Sequence, residues 1–156
     1  MATTSALPAD RPLVACPHEE VPAPPREVRA FYVDLDNIRA VHPLVLSVRS
    51  LSRTETPGGY RQTYRVTDRI PLGPLTIRTR YVARMTVPWE GDVEAEARQF
   101  PRVRLSATVT FAPAGTGTQT TERLTIDAPG PLPALTRREA VEAHKTMLAG
   151  IRRRFS

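Results

Sequence analysis

The sequence has very little cysteine and no long apolar run, and each shortage excludes a class of structure. Its 156 residues include one cysteine, Cys16, which cannot form an internal disulfide. The chain has no CxxC or HExxH motif and no cluster of cysteine and histidine, so a metal site is not expected. Nowhere do eighteen apolar residues pass without a charge, and residues 1–10 lack the pattern of a signal peptide. We therefore expect a cytoplasmic protein with no transmembrane segment, no metal and no other cofactor.

The positive charge is carried almost entirely by arginine. The chain has 21 arginines and one lysine against 16 acidic residues, which gives a formal net charge of +6. Together with 16 prolines, this composition is typical of a GC-rich bacterial genome, and basicity alone is weak evidence for nucleic-acid binding. The length fits one domain, which we place at residues 12–156 after a flexible N-terminus of residues 1–11.

The most strongly patterned stretch is the C-terminal one. From residue 137 to residue 155 apolar side chains recur at steps of three and four, which predicts a long helix with one buried side. Thr136 and Glu139 have the spacing of a capping box, so the helix is predicted to begin there. His144 lies on the apolar side of this helix.

Upstream, the pattern predicts one strand, two short helices and six further strands. The first strand spans residues 13–21, and the prolines that follow it favour a helix start. Asp36 is predicted to cap the second helix, which ends near His42, where a cationic imidazole suits the helix dipole. From Leu44 the apolar period is two, and turns separate strands at 44–54, 60–70, 75–87, 93–100, 103–111 and 118–127. Short connections favour antiparallel pairing of neighbouring strands.

Alternation within these strands predicts a sheet with an apolar inner face and an arginine-rich outer face. The inner set is Tyr60, Gln62, Tyr64, Val66, Leu75, Ile77, Thr79, Tyr81, Ala83, Met85, Val103, Leu105, Ala107, Val109, Phe111, Thr120, Glu122, Leu124 and Ile126. The outer set contains Arg61, Arg65, Arg69, Arg78, Arg80, Arg84, Arg102, Arg104 and Arg123. Glu94 and Glu96 are expected on the same outer face, where cross-strand ion pairs with arginine are common.

This order of elements resembles the helix-grip fold of the SRPBCC superfamily, which includes START, Bet v 1 and polyketide cyclase proteins. Three local segments are similar to those of its bacterial members: the proline-containing Val-Pro-Ala-Pro-Pro-Arg-Glu-Val at 21–28, Val-Asp-Leu-Asp-Asn at 33–37, and Val-His-Pro at 41–43. The resemblance covers about residues 12–155. It implies an α+β fold, with about seven antiparallel strands wrapped around the C-terminal helix and a cavity for hydrophobic molecules between them. No motif position supports carrying over one particular mechanism.

Two inward residues are candidate catalytic groups. His144 can serve as a general acid or base or as a hydrogen-bonding partner for a ligand, and its alternative role is a core histidine satisfied by a tyrosine or a backbone carbonyl. Glu122 shares the inner phase, where a carboxyl group can move a proton or pair with an arginine. The predicted ligand-binding residues are Gln62, Tyr64, Ile77, Tyr81, Met85, Phe111, Glu122, His144, Met147 and Leu148.

The function favoured by these patterns is binding of a hydrophobic small molecule that is lipid-like, aromatic or polyketide-like. We expect the ligand to be uncharged or weakly acidic and the pocket to measure about 300–1,000 Å³. The sequence has no GxSxG, P-loop or GxGxxG motif, which argues against hydrolase and nucleotide-dependent functions.

Two alternatives remain open. One is a polyketide aromatase/cyclase or dehydratase that uses His144 or Glu122 to move protons and Tyr64 or Tyr81 to hold an enolate oxygen. The other is binding of anionic membranes or nucleic acid by the outer arginines, although we do not expect a nucleic-acid partner. A monomer and a homodimer are both compatible with the sequence.

Overall fold

Eight strands and three helices follow one another in the parts of the chain that the structure, a computed structural model, describes: residues 13–99, 103–127 and 133–156. The first half contains β1 (Leu13–Ala15), β2 (His18–Val21), α1 (Pro25–Val33), α2 (Leu35–Val41), β3 (Val45–Thr56) and β4 (Gly59–Leu72). The second half contains β5 (Leu75–Pro88), β6 (Val93–Gln99), β7 (Val103–Ala114), β8 (Gly117–Asp127) and α3 (Pro133–Arg154). The flexible segment predicted at residues 1–11 lies outside the described residues.

The strands form one antiparallel sheet in the order β1-β8-β7-β6-β5-β4-β3, and β2 also pairs with β8. The helices cover its inner face, and the core between them includes Val28, Val66, Leu124, Met147 and Ile151. The predicted α+β helix-grip fold is therefore confirmed. No helix within the described ranges is long and apolar enough to cross a membrane.

The first predicted strand is divided in two at Pro17. Leu13 pairs with Ile126 and His18 pairs with Thr121, so β1 and β2 keep one common register along β8. Pro17 therefore lies opposite Glu122, whose backbone N–H donates to the Pro17 carbonyl at 2.9 Å. Because proline has no N–H to return the bond, the ladder is interrupted at this point. The described sheet consequently counts eight strands instead of about seven.

Two predicted helix starts are corrected. The side chain of Asp34, not that of Asp36, caps α2, and its Oδ1 accepts a hydrogen bond from the Asp36 N–H at 3.0 Å. Helix α3 begins at Pro133, so Thr136 lies inside it and the predicted capping box does not mark its start. Proline is favoured in a first helical turn because its missing N–H would have no partner there, which explains the earlier start.

The end of the β4–β5 hairpin extends beyond the rest of the sheet. Pairing of β3 with β4 stops at Asp68, and pairing of β6 with β5 stops at Val82, whereas β4 and β5 stay paired out to Leu72 and Leu75. At this end of the described sheet, β4 and β5 pair only with each other and form a free two-stranded ribbon. Two residues that were predicted on the buried inner face are therefore exposed. Ile77 is 42% exposed and Leu75 is 68% exposed, because the core does not reach so far.

On the outer face, Glu96 of β6 pairs with Arg98 of its own strand and, across strands as predicted for this surface, with Arg104 of β7. Its Oε1 accepts from Arg98 Nε at 2.6 Å and lies 3.6 Å from Arg104 Nε on β7. Exposed pairs of this kind contribute about 0–1 kcal/mol each. Binding of a polyanion by the outer arginines stays a prediction.

Candidate functional site

A pocket of about 180 Å³ lies between α3 and the inner face of the sheet. This volume is below the range predicted from the sequence. The apolar part of its wall consists of Leu35, Ile38, Leu44, Val45, Ile70, Ala83, Met85, Ala95, Ala97, Val103, Leu105, Ile126, Ala140, Ala143 and Met147. The polar side chains in the wall are Tyr32, His42, Asp68, Tyr81, Glu96, Gln99, Glu139 and His144. A mostly aliphatic wall with a few polar groups is the usual composition of a small-molecule site.

The pocket has a buried end and an open end. Met85, Ile126 and Met147 are buried lining residues that form its interior. Gln99 at the end of β6 and Glu139 in the second turn of α3 are partly exposed and also line it. The pocket is therefore open to solvent beside these two residues.

Three side chains from three elements meet behind the wall at Glu122. The Tyr32 hydroxyl on α1 donates to Glu122 Oε2 at 2.5 Å, and His144 Nδ1 on α3 lies 3.1 Å from both carboxyl oxygens. Glu122 itself is fully buried on β8. A charge removed from water in this way needs such partners, because an unpaired buried carboxylate is strongly destabilising.

The environment of His144 determines which of its nitrogens a ligand can reach. Burial lowers the pKa of His144, but the carboxylates of Glu122 and Asp68 outweigh this effect and raise the pKa above 6.5. The Nδ1–H donates to Glu122, and because His144 lines the pocket, its Nε2 is the nitrogen left for a ligand. A carboxylate that holds one imidazole nitrogen fixes the tautomer and orientation of the ring. The predicted alternative, a histidine satisfied by tyrosine or a backbone carbonyl, is not what the structure shows, since the partner is a carboxylate.

His42 stands edge-on to His144, with their ring centres 5.4 Å apart. Its Nδ1 accepts a hydrogen bond from the Leu44 N–H at 3.3 Å, which leaves the proton of a neutral ring on Nε2. Burial, with the positive charge of His144 as a smaller cause, lowers the pKa of His42 to about 3. His42 is the C-cap residue of α2, as predicted, and its backbone N–H donates to the Ile38 carbonyl. The predicted cationic form is wrong, because the ring is neutral at neutral pH and lies in the pocket wall.

The lowered pKa of His42 predicts a loss of stability in acid. The unfolded chain binds a proton at His42 below about pH 6.5, whereas the folded protein does not until about pH 3, so the contribution of this residue to stability falls across that window. His42→Asn keeps an acceptor for the Leu44 N–H and removes the titration. We expect this variant to lose less stability between pH 6.5 and pH 4 than the wild type in urea unfolding. His18→Asn, at an exposed position, is the control, and equal acid sensitivity of H42N and the wild type would contradict the prediction.

Asp68 and Tyr81 form a second polar pair in the wall. The Tyr81 hydroxyl on β5 donates to Asp68 Oδ1 on β4 at 3.3 Å. Burial raises the pKa of Asp68 to about 6, although the Tyr81 hydroxyl and His144 act in the opposite direction. Burial and the neighbouring Asp68 raise the pKa of Tyr81 well above 10, so this phenol remains a hydrogen-bond donor.

The ten residues predicted to bind a ligand fall into three groups. The pocket wall contains Tyr81, Met85, His144 and Met147. Tyr64, Phe111, Glu122 and Leu148 lie in the buried core or against it, behind the wall. The structure places Gln62 and Ile77 outside the wall: Gln62 donates to Ser50 Oγ at 3.0 Å, and Ile77 belongs to the free β4–β5 ribbon.

The site also contains three residues that were not predicted from the sequence: Tyr32, His42 and Asp68. Asp68 continues the inner alternation of Tyr64 and Val66, so the phase of β4 contained the signal for it. Tyr32 meets Glu122 across a separation of 90 residues, and no local pattern indicates such a contact.

Solved structures with the same fold share little sequence with this chain. The protein TTHA0849 from Thermus thermophilus is 21% identical with a TM-score of 0.73, and the match covers 92% of this chain and 97% of that one. The Zhui aromatase/cyclase from Streptomyces sp. R1128 is 14% identical with a TM-score of 0.70, covering 90% and 92%. A STAR-related lipid transfer protein from Xanthomonas axonopodis is 19% identical with a TM-score of 0.68, covering 88% and 82%. These similarities support the fold.

The family assignment comes from the sequence itself. No curated protein gives a match. Residues 18–155, nearly the whole chain, match the family described as "Polyketide cyclase / dehydrase and lipid transport". The pocket between α3 and the sheet agrees with a family of ligand-binding and cyclase-type helix-grip proteins, and this chain belongs to the polyketide cyclase / dehydrase and lipid transport family.

Proposed function

We propose that the protein binds a compact, largely apolar small molecule in the pocket between α3 and the sheet. The observation that carries this proposal is the wall itself, in which aliphatic side chains surround the polar groups of Tyr32, His42, Asp68, Tyr81 and His144. Apolar burial supplies most of the affinity, at about 25 cal/mol per Å² of surface removed from water. The polar groups orient the ligand.

The volume restricts the ligand to a small one. A pocket of about 180 Å³ with its aliphatic wall suits a molecule of one or two rings or a short acyl chain, and a longer ligand would extend through the open end. The Nε2 of His144 offers a hydrogen bond to such a guest, and the two methionines, Met85 and Met147, can adjust their unbranched side chains to its shape. The family's range, from cyclases to lipid transport, is compatible with both kinds of molecule.

Filling the pocket should abolish binding while the fold survives. Ala143 is buried in the wall, so Ala143→Leu places three more carbon atoms in the cavity. With 2-naphthol as a neutral fluorescent probe, we expect titration to show affinity reduced by about tenfold or more, since a filled site loses the burial that drives binding. Ala149→Leu makes the same change on α3 away from the wall and should bind like the wild type. Equal affinity of A143L and A149L would contradict the proposal.

A second candidate function is acid–base catalysis of the cyclase or dehydratase type. The specific observation in its favour is the Tyr32–Glu122–His144 arrangement, in which a buried carboxylate holds the Nδ1 of an imidazole that lines the pocket. Imidazoles held in this way serve as general acids and bases, with contributions of about 10²–10⁴ to the rate.

The chemistry can be written with groups of this chain alone. In its neutral form, His144 Nε2 takes a proton from a carbon between two carbonyl groups, and the resulting enolate attacks a second carbonyl carbon to form the ring bond. The protonated His144 then returns its proton to the alkoxide. The neutral His144 then takes a proton from the neighbouring carbon and gives it to the hydroxyl group, which leaves as water as the C=C bond forms. The carboxyl group of Glu122, which accepts from His144 Nδ1, stabilises the imidazolium that forms in between.

His144→Asn separates catalysis from binding. The asparagine amide can still donate to Glu122 but has no group at the position of Nε2. If the protein is a cyclase or dehydratase, turnover of a reactive poly-β-ketone should fall by about 10²–10⁴ in this variant while 2-naphthol still binds. Mass spectrometry would follow the loss of water from the substrate. Undiminished turnover in H144N would remove His144 from the mechanism.

A further inference from the structure

We propose that the pocket selects ligands that carry a protonated amine, received by Asp68, and that it rejects carboxylates. The inference rests on the proposed function and adds the charge class of the ligand. It differs from the sequence-based expectation of an uncharged or weakly acidic guest.

The charged side chains of aspartate, glutamate, lysine and arginine type that line the described part of the pocket are all acidic. Among the lining residues that the structure describes, none is arginine or lysine, and the acidic ones are Asp68, Glu96 and Glu139. Glu96 is neutralised on the outer face by Arg98 and Arg104. The cationic form of His144 is matched by Glu122, which lies 3.1 Å from its Nδ1. The described part of the wall therefore has no free cation to receive an anionic ligand.

Asp68 is the acid best placed to receive a cation. It is only 8% exposed, and because it lines the pocket, a ligand there can reach it. Within the described part of the chain, its hydrogen-bond partner is the Tyr81 hydroxyl, which contacts Oδ1. The other carboxyl oxygen, Oδ2, remains an acceptor without a donor among these residues. A ligand ammonium or hydroxyl group can supply that donor, whereas a carboxylate would add repulsion between like charges.

The titration of Asp68 gives the proposal a characteristic pH dependence. The groups that face Asp68 are Tyr81 on β5 and His144 on α3, and the wall also holds Tyr32, His42 and Glu139. Since the pKa of Asp68 is about 6, a cationic ligand meets the ionised carboxylate above that pH and the neutral acid below it. Affinity for an amine should therefore rise with pH through about 6 and then level off.

Three naphthalenes with the same ring system and different charge test the selection. The ligands are 2-naphthylmethylamine, 2-naphthol and 2-naphthoate, each titrated at pH 7.5 and followed by fluorescence and calorimetry. We expect the amine to bind about tenfold or more tightly than the carboxylate. Asp68→Asn should reduce this ratio by about tenfold, because the amide that replaces the carboxylate carries no charge to attract the ammonium group. Glu94→Gln, on the outer strand phase away from the pocket wall, is the charge-matched control and should keep the wild-type ratio.

The outcomes distinguish this inference from the function on which it rests. Equal binding of amine and carboxylate by the wild type, or an amine affinity that D68N leaves unchanged, overturns the charge selection, while binding of 2-naphthol still supports the pocket. Failure of all three compounds to bind overturns both proposals. If D68N does not fold, the wild-type ratio and the rise of amine affinity through about pH 6 decide the question without the variant.

Discussion

Glu122→Ala should destabilise the protein by about 3–5 kcal/mol, a large share of the 5–15 kcal/mol that stabilises a typical domain. The substitution removes the acceptor of the Tyr32 hydroxyl and of His144 Nδ1, and both donors are left buried. The space that the side chain occupied adds a cavity beside the fully buried Leu124. Urea unfolding at pH 6 would measure the loss.

One variant separates the charge of Glu122 from its packing, and a second, at Thr120, is a control on the same face of β8. Glu122→Gln keeps the shape and should cost less, but it removes the charge that raises the pKa of His144, so burial should bring that pKa below 6.5. NMR titration of the imidazole would show this change. Thr120 lies on the same face of β8 and its buried hydroxyl has no partner among the described residues, so Thr120→Val should leave stability unchanged or raise it by about 1 kcal/mol.

The pH dependence of the pair follows from the direction of the His144 shift. Because its pKa is higher in the folded protein than in the unfolded chain, the ion pair adds stability that is fully present below about pH 6.5 and is lost as pH rises through the folded value. The difference in stability between the wild type and E122Q should therefore narrow in alkali. A loss of under about 1 kcal/mol for Glu122→Ala, or a constant difference with pH, would contradict this account.

The order of the elements could be predicted from the sequence because apolar periodicity changes from two to about 3.6 where strands give way to helices. The phase of β8 also placed Glu122 inward beside Leu124, and the apolar side of α3 placed His144 opposite the sheet. Both expectations depend only on local sequence patterns, namely alternation in the strand and the 3.6-residue period in the helix. Their meeting at 3.1 Å follows once α3 crosses the inner face.

Features that depend on where neighbouring strands end could not be predicted in the same way. Ile77 shares the phase of Tyr81, yet it is exposed because β6 stops pairing with β5 at Val82. The pocket volume depends on how side chains from several elements fill the space between sheet and helix. The number of apolar residues in one strand does not determine it. The split at Pro17 was readable from its missing N–H, but only after its register with β8 was known.

The same arrangement of groups serves both candidate functions. A ligand site and an acid–base site each need His144 to present Nε2 to an enclosed, mostly apolar space, and Glu122 fixes that orientation. The two functions differ in what the ligand brings. A ligand without an acidic C–H bond is bound without reaction. A poly-β-ketone of suitable size, in contrast, has a C–H proton that the imidazole can remove. Specificity for the ligand is therefore the property that separates them.

Leu148→Ala should destabilise the protein more than Met147→Ala does, at a cost of about 2–5 kcal/mol. Leu148 is 1% exposed and does not line the pocket, so its removal opens a new cavity in a packed region. The neighbouring Met147 is 2% exposed but borders the existing pocket, so Met147→Ala enlarges a space that is already there. Met147→Ala should therefore remove fewer packing contacts than Leu148→Ala, and we expect a smaller loss of stability.

Binding should show the opposite order. Met147→Ala changes the wall and should alter the affinity for 2-naphthol, while Leu148→Ala should leave the affinity of the folded fraction close to that of the wild type. Thermal unfolding and fluorescence titration on the same two proteins would measure both properties. If Leu148→Ala cost no more than Met147→Ala, the side of α3 next to Leu148 would not be closely packed, and the division of this helix into a core side and a pocket side would be wrong.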